Sequence, residues 1–139
     1  MTDNKTIMVL LVDDEERFLL TTAAALRKRG LKVASASNGS DAVLKVWRGD
    51  FDVVVLDLKM PGMNGHQTLR EIKGLKPDIK IIMLTGHGSL ESALEGWQDG
   101  VTTYLLKPCD IEVLADTIRH ACGNGGQGRA EAKTKPSPM

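Results

Sequence analysis

The sequence predicts an α/β protein in which a parallel five-stranded sheet carries helices on both faces. Short apolar runs alternate with amphipathic helical stretches five times between residues 7 and 121. The apolar runs are mostly continuous rather than alternating with polar residues, which is typical of strands buried on both faces. Strict alternation of strand and helix favours parallel strands joined by right-handed crossovers. A chain of 139 residues is long enough for one domain with a full core.

The first two strand–helix pairs are delimited by an acidic run and by glycine. A first strand, residues 7 to 12, leads directly into Asp13-Asp14-Glu15-Glu16. The helix that follows ends at Gly30, because glycine readily adopts the backbone conformation that terminates a helix. A second strand over residues 32–37 and a second helix over residues 41–48 complete this half. The apolar stripe of the first helix includes Phe18, Leu19, Ala23 and Leu26.

The third strand, Val53 to Leu56, is a short, continuous and largely β-branched apolar run that leads straight into Asp57. A third helix is predicted over residues 65–75, before Lys76-Pro77. The remaining elements are a fourth strand over 80–84, a fourth helix that Ser89 caps and Gly100 ends, a fifth strand over 103–106, and a last helix that Asp110 caps.

Composition excludes several classes of protein. Because 18 basic residues balance 18 acidic ones, no net charge attracts nucleic acid or a membrane surface. Cys109 and Cys122 lack zinc-binding spacing and are interpreted as free thiols. No stretch has the length of a signal-peptide core or a membrane span, so a cytoplasmic location is expected. We predict a folded domain over residues 1–122 and a disordered, glycine-rich tail over residues 123–139.

Polar side chains follow four of the five predicted strands. Asp13 and Asp14 follow the first strand, Asp57 the third, Thr85 the fourth and Lys107 the fifth. In a parallel sheet these ends meet at one edge. Each close pair of carboxylates there costs roughly 4 kcal/mol at an effective dielectric constant near 20, and Mg²⁺ would offset this repulsion. With a lysine and a hydroxyl nearby, the set predicts a phosphoryl-transfer site whose nucleophile is Asp57.

Each of these features taken alone has an ordinary structural explanation. The acids at 13–16 suit the start of a helix, where the macrodipole favours negative charge. Asp57 alone is compatible with a loop cap, and Tyr104 with a strand, since strands favour tyrosine. His87 is more simply interpreted as an ordinary loop residue than as a general acid or base. Only the combination of Asp57 with the acidic run and Lys107 favours a reactive site.

The same residues form a set of motifs that resembles the receiver domain of bacterial two-component response regulators. The resemblance extends over residues 6 to about 121, nearly the whole of the predicted folded domain. The four motifs, which stand in the family's order at strand ends, are Val12-Asp13-Asp14-Glu15, Val55-Leu56-Asp57-Leu58-Lys59-Met60-Pro61, Leu84-Thr85-Gly86 and Tyr104-Leu105-Leu106-Lys107-Pro108.

The resemblance implies a flavodoxin-like (βα)5 fold with strand order 2-1-3-4-5. It implies that Asp57 accepts a phosphoryl group from a histidine kinase, a phosphotransfer protein or a small phosphodonor. It also implies that Mg²⁺ is held by Asp13, Asp14 and Asp57 together with the backbone carbonyl of Lys59. The chain would thus be a phosphoprotein in a phosphorelay and no enzyme acting on an external substrate.

The resemblance further implies a switch between two packing arrangements. Thr85 would move toward the phosphoryl group, and Tyr104 would turn inward behind it. The surface that changes consists of the fourth helix, fifth strand and fifth helix, residues 89–121. This surface would control a partner or an attached output domain. It is also a candidate homodimer interface. The residues expected to modulate the phosphoryl lifetime are Lys59, Gly86 and His87.

Three other functions compete with this interpretation. A flavin-binding electron carrier of the same fold class needs a phosphate-cradling loop after the first strand, but here that loop is acidic. A phosphohydrolase would place a general acid two residues after the nucleophile, where this chain has Lys59. A receiver-like interaction module that needs no phosphate would not require the set formed by Asp57, Thr85 and Lys107, yet it is not excluded by the sequence.

Overall fold

The computed structural model of the protein describes residues 6–57, 65–86 and 100–123, which form five strands and four helices. The predicted helix after Ser89 and all but the first residue of the predicted tail lie outside the described residues, so the tail and the domain boundary at residue 122 stay predictions. In chain order the elements are β1 (Met8–Val12), α1 (Glu16–Lys28), β2 (Lys32–Ala36), α2 (Gly39–Arg48), β3 (Val53–Leu56), α3 (Gly65–Leu75), β4 (Lys80–Thr85), β5 (Thr103–Leu106) and α4 (Ile111–Ala121).

The five strands form one parallel sheet in the order β2-β1-β3-β4-β5, which confirms the predicted fold class and strand order. Val12 pairs in register with Leu56, and Leu56 pairs with Met83. The residues that follow β1 and β3 therefore leave the sheet at the same level. This register is what brings distant parts of the sequence together at the carboxyl-terminal edge of the sheet.

The core lies on both faces of the sheet, and successive residues of each central strand face opposite sides. Val9 and Leu11 of β1 pack toward α1 and α4, whereas Leu10 and Val12 pack toward α2 and α3. All four side chains are fully buried, or nearly so. Full burial of an aliphatic side chain of this size contributes roughly 1.5–3 kcal/mol relative to exposure. The continuous apolar runs of the sequence are thus explained by helices on both faces.

Local signals set most of the helix ends. Gly30 has a φ of +88°, as expected of the glycine predicted to end α1. The Asn38 side chain accepts a hydrogen bond from the backbone N–H of Asp41 at 2.8 Å, so α2 begins at Gly39, two residues earlier than predicted. Asp110 occupies the N-cap position of α4, as predicted, but its side chain makes no capping hydrogen bond. Its negative charge near the helix N-terminus still suits the macrodipole.

Two expectations drawn from composition can be compared with the structure. Cys109 and Cys122 are free thiols, as predicted, and both are partly buried. Among the described residues, the helices are too short and too polar to cross a membrane.

Candidate functional site

The backbone of the sheet places Asp13 and Asp57 side by side. The N–H of Asp13 donates to the carbonyl of Ala36 in β2, and the N–H of Asp57 donates to the carbonyl of Val12, both at 3.1 Å. The hydrogen-bond ladders on both sides of β1 therefore continue one residue beyond the strand. Both side chains are held at the carboxyl-terminal edge, where the sequence predicted them.

Asp13 is buried, with 2% of its surface exposed, and both of its oxygens accept hydrogen bonds. Its Oδ1 accepts from the backbone N–H of Glu15 at 2.9 Å, and its Oδ2 accepts from the Lys107 ammonium at 2.6 Å. The first bond shapes the turn that leads into α1. The second is a charge-assisted bond across the edge of the sheet, and such bonds are shorter and stronger than those between neutral groups.

Lys107 reaches both buried acids from the end of β5. Its backbone N–H donates to the carbonyl of Thr85 at 2.9 Å, and its ammonium lies 3.6 Å from Asp57 Oδ2. Burial by itself lowers the pKa of Lys107, but the hydrogen bond to Asp13 and the charges of Asp13, Asp57 and Glu15 outweigh it, so the pKa is raised. Lys107 is therefore a cation at physiological pH.

Three carboxylates converge on a space suited to a small hard cation. Asp13, Asp14 and Asp57 each offer an oxygen, and these three atoms lie within 4.8 Å of one another. Asp14 is exposed, whereas Asp57 is 7% exposed. Within this distance each pair repels by at least roughly 3.5 kcal/mol at an effective dielectric constant of 20. The donor set fits Mg²⁺, which prefers carboxylate oxygens and keeps positions for water and phosphate on its open side.

The two residues predicted to form the switch lie on neighbouring strands. Thr85 is fully buried and is the last residue of β4, so the strand is one residue longer than predicted. Tyr104 pairs in register with Met83, and its hydroxyl is buried without a hydrogen-bond partner in the described part of the chain. Burial, and secondarily the charge of Asp57, raises the pKa of the Tyr104 phenol. Its hydroxyl thus already lies inside the protein.

Of the residues expected to modulate the site, only Gly86 is described. A Cβ built on Gly86 would have no atom of the described residues within 4 Å, and the modulating role of Gly86 stays a prediction. Lys59 and His87 lie outside the described residues. The predicted metal contact from the Lys59 carbonyl and the roles of both residues stay predictions.

Phe18 is a residue of this site that the sequence interpretation missed. The Lys107 ammonium lies 4.2 Å from the centroid of the Phe18 ring, within the range of a cation–π interaction. The sequence indicated only that Phe18 belongs to the apolar stripe of α1. One signal was available, because Phe18 stands in the first turn of α1 and long side chains of a helix point back toward its N-terminus.

Comparison with known sequences identifies the protein family to which this chain belongs. The sequence profile described as the response regulator receiver domain matches residues 9–119. The chain belongs to this family. Membership confirms the resemblance seen in the motifs, and it contradicts the competing interpretation of a flavin-binding electron carrier.

Individual relatives of this receiver domain agree in sequence and in structure. The transcriptional regulatory protein ZraR of Salmonella typhimurium is 38% identical over 125 residues, which cover 90% of this chain but 28% of ZraR. A CheY-like receiver domain protein of Methanospirillum hungatei JF-1 is 27% identical, with a TM-score of 0.83 over 93% of this chain and 98% of that one.

A response regulator of Burkholderia pseudomallei was solved with a phosphorylated aspartic acid, a calcium ion and citrate. It is 28% identical to this receiver domain and has a TM-score of 0.78 over 90% of this chain and 74% of that one.

Proposed function

We propose that this receiver domain accepts a phosphoryl group on Asp57 in a Mg²⁺-dependent reaction and thereby switches its surface between two states. One observation carries the proposal: Asp57 is a buried carboxylate that lies close to two further carboxylates, Asp13 and Asp14, and to the Lys107 ammonium. A purely structural aspartate would be stabilised by this lysine alone and would gain nothing from the additional negative charges.

The chemistry assigned to Asp57 is nucleophilic attack on phosphorus. A carboxylate oxygen forms the new P–O bond while the bond from phosphorus to the donor breaks, and the donor leaves with that electron pair. Histidine kinases are the donors expected for the family, and acetyl phosphate serves as a small substitute that releases acetate. Family membership and the phosphorylated aspartic acid of the Burkholderia pseudomallei relative support this step.

The residues around Asp57 stabilise the transferred group. Lys107 contributes a positive charge beside the acceptor oxygen, and Thr85 contributes a hydroxyl for a phosphoryl oxygen. Asp13, Asp14 and Asp57 would hold Mg²⁺, which when bound neutralises charge on the carboxylates and on the phosphoryl oxygens. Asp13 also holds Lys107 in place through the 2.6 Å hydrogen bond.

The output of the switch is assigned to the surface formed by residues 89–121. Phosphorylation replaces the single negative charge of the Asp57 carboxylate with the charge of nearly −2 of an acyl phosphate, and this change favours a new arrangement of Thr85 and Tyr104. Leu106 and Val113, in the described part of this surface, expose 56% and 47% of their area to solvent. We expect this surface to contact a partner protein, an attached output domain or a second copy of the chain.

We also propose that the protein does not turn over an external substrate and that it is located in the cytoplasm. We expect self-phosphorylation and self-dephosphorylation rather than catalysis on an external substrate, and a cytoplasmic location without direct binding to nucleic acid. The chain spans 28% of the length of ZraR, so the activity of that whole protein is not transferred here. The alternative of a phosphate-independent interaction module differs in one respect, since it needs no modification of Asp57 to bind its partner.

The test is intact-mass measurement after incubation with acetyl phosphate and Mg²⁺. Wild type should gain one phosphoryl group, and omission of Mg²⁺ should abolish the gain. Asp57→Asn should gain none, whereas the control Asp52→Asn should gain one, because Asp52 lies at the opposite edge of the sheet and accepts a hydrogen bond from the backbone of Met8. An adduct on Asp57→Asn would overturn the assignment of the acceptor.

Beryllofluoride, which mimics the phosphoryl group and is not hydrolysed, distinguishes the switch from the phosphate-independent module. The NMR signals of Tyr104 and residues 100–121 should shift on its addition. Unchanged signals at a saturated site would favour the module. Sedimentation with and without beryllofluoride tests the predicted homodimer, and a monomer in both states would eliminate it.

A further inference from the structure

The Lys107 ammonium makes three contacts from three different elements. It lies 2.6 Å from Asp13 Oδ2, 3.6 Å from Asp57 Oδ2 and 4.2 Å from the centroid of the Phe18 ring. The two carboxylates follow β1 and β3, and the ring belongs to the first turn of α1. The two acids account for the charge of Lys107, but neither explains why an aromatic ring stands against the ammonium.

The position of Phe18 is fixed by the core rather than by Lys107. The ring is partly buried and packs against the cluster of side chains between the sheet, α1 and α4. It also lines an apolar cavity of about 640 Å³ between α1 and α4, which Leu84, Leu114 and Lys107 line as well. A ring held in this way provides a fixed surface for a side chain that is flexible by itself.

Lysine needs such a surface at this site because its charge sits at the end of a four-carbon chain with several rotatable bonds. Glu15 also lines the cavity and is exposed, so it is an alternative partner for an ammonium that moves away from Asp57. An aromatic face attracts the ammonium without removing any of its hydrogen-bond donors from the carboxylates. The ring thus keeps the three N–H groups available for oxygens.

We propose that Phe18 is a positioning residue for phosphoryl transfer, whose ring face holds the Lys107 ammonium beside the acceptor carboxylate of Asp57. This inference rests on the proposed function, because it assigns Phe18 a role in the same reaction. Phe18 acts through Lys107 and has no contact with the phosphoryl group. Loss of the aromatic face should therefore slow phosphoryl uptake while leaving the acceptor residue and the requirement for Mg²⁺ unchanged.

The composition of the chain allows a test that preserves packing. The protein has two phenylalanines, Phe18 and Phe51, and Phe51 packs on the opposite face of the sheet. In a Phe51→Leu background, replacement of all phenylalanine by pentafluorophenylalanine changes Phe18 alone. The fluorinated ring has nearly the same shape, but its face carries the opposite partial charge and no longer attracts a cation.

The measured quantity is the rate of phosphoryl uptake at saturating acetyl phosphate and Mg²⁺. We expect the fluorinated protein to be about three- to tenfold slower than the unfluorinated Phe51→Leu protein, with an unchanged midpoint for Mg²⁺. Phe18→Leu should be slowed to a similar extent, whereas Phe18→Tyr should remain within about twofold of wild type. The ¹³C signal of the Lys107 Cε methylene should lose its ring-current shift in Phe18→Leu.

Equal rates for the fluorinated and unfluorinated proteins would overturn the positioning role of Phe18. So would a Phe18→Tyr protein as slow as Phe18→Leu, or a Phe51→Leu protein as slow as Phe18→Leu. Failure of the proposed function would give a different result in the intact-mass measurement. Wild type would then gain no phosphoryl group, or Asp57→Asn would gain one. That result would overturn both proposals, whereas normal uptake at Asp57 with no effect of fluorination would overturn only the role of Phe18.

Discussion

The two edges of the sheet hold the same kinds of charged side chain but give them different partners. At the amino-terminal edge, Asp52 accepts a hydrogen bond from the backbone N–H of Met8 at 2.8 Å. Near it, Lys73 donates to the carbonyls of Pro77 and Ile79 at 3.0 and 2.8 Å. Each of these charges is paired with backbone groups of a nearby turn or strand start. Their effect is to fix the ends of β1, β3 and β4.

At the carboxyl-terminal edge the charges face one another instead. Asp13, Asp14 and Asp57 bring three negative charges together, and Lys107 supplies the positive charge that bridges Asp13 and Asp57. The protein retains an excess of negative charge there, which costs stability. The same residue types are structural at the amino-terminal edge, where backbone groups satisfy them, and under the proposed function they bind a cation and a phosphoryl group at the carboxyl-terminal edge.

The largest effect is expected from Lys107→Met, which removes the cation from two buried acids. Without Mg²⁺ at neutral pH the free energy of unfolding should fall by about 3 kcal/mol, because uncompensated buried charges remain. Urea denaturation in the presence of a chelator measures the loss. Lys73→Met serves as the control and should show a smaller loss; equal losses in the two variants would contradict the contrast between the edges.

Mg²⁺ should stabilise the folded protein through the carboxyl-terminal edge alone. At a concentration of 100 times its dissociation constant the free energy of unfolding should rise by about 2.7 kcal/mol. Asp13→Asn should lose most of this increment, and Asp52→Asn should keep it in full. Thermal denaturation at constant ionic strength measures the increments. A similar increment in all three proteins would show that the cation acts elsewhere.

A smaller effect is expected at the amino-terminal edge. Asp52→Ala removes the carboxylate that satisfies the N–H of Met8, and the free energy of unfolding should fall by about 2 kcal/mol, since a hydrogen bond to a charged group is lost. Phosphoryl uptake at Asp57 should be unchanged under conditions where the variant is folded. Loss of uptake in a folded Asp52→Ala protein would remove the distinction between a structural and a functional edge.

The smallest effect concerns an exposed ion pair that belongs to neither edge. Arg29 Nη2 lies 2.6 Å from Glu112 Oε2, and the hydrogen bond from Arg29, followed by its charge, lowers the pKa of Glu112. The stability that this pair contributes is present above the ordinary glutamate pKa of about 4.3 and is lost as pH falls through the lowered value. The difference in stability between wild type and Glu112→Gln should therefore vanish in acid. A difference that grows on acidification would contradict the assignment.

The sequence predicted the fold and the composition of the site because both depend on patterns that survive any choice of side-chain rotamer. Apolar runs of four to six residues and glycine at helix ends require particular elements, and parallel strands bring Asp13, Asp57 and Lys107 to one edge. Which acid Lys107 bonds more closely was not predictable, since 2.6 Å to Asp13 and 3.6 Å to Asp57 depend on packing around β5 and α1. The ring of Phe18 was missed for the same reason.

The acids of the two edges are assigned opposite roles, and one matched pair of variants tests this assignment most directly. Asp57→Asn and Asp52→Asn make the same change at opposite edges, and both phosphoryl uptake and the free energy of unfolding without Mg²⁺ are measured for each. We predict that Asp57→Asn takes up no phosphoryl group. Its free energy of unfolding should equal that of wild type or exceed it by up to about 1 kcal/mol, because the repulsion between the carboxylates is relieved. Asp52→Asn should be less stable and take up the group normally. An Asp57→Asn protein that is still phosphorylated, or a folded Asp52→Asn protein that is not, would contradict the account.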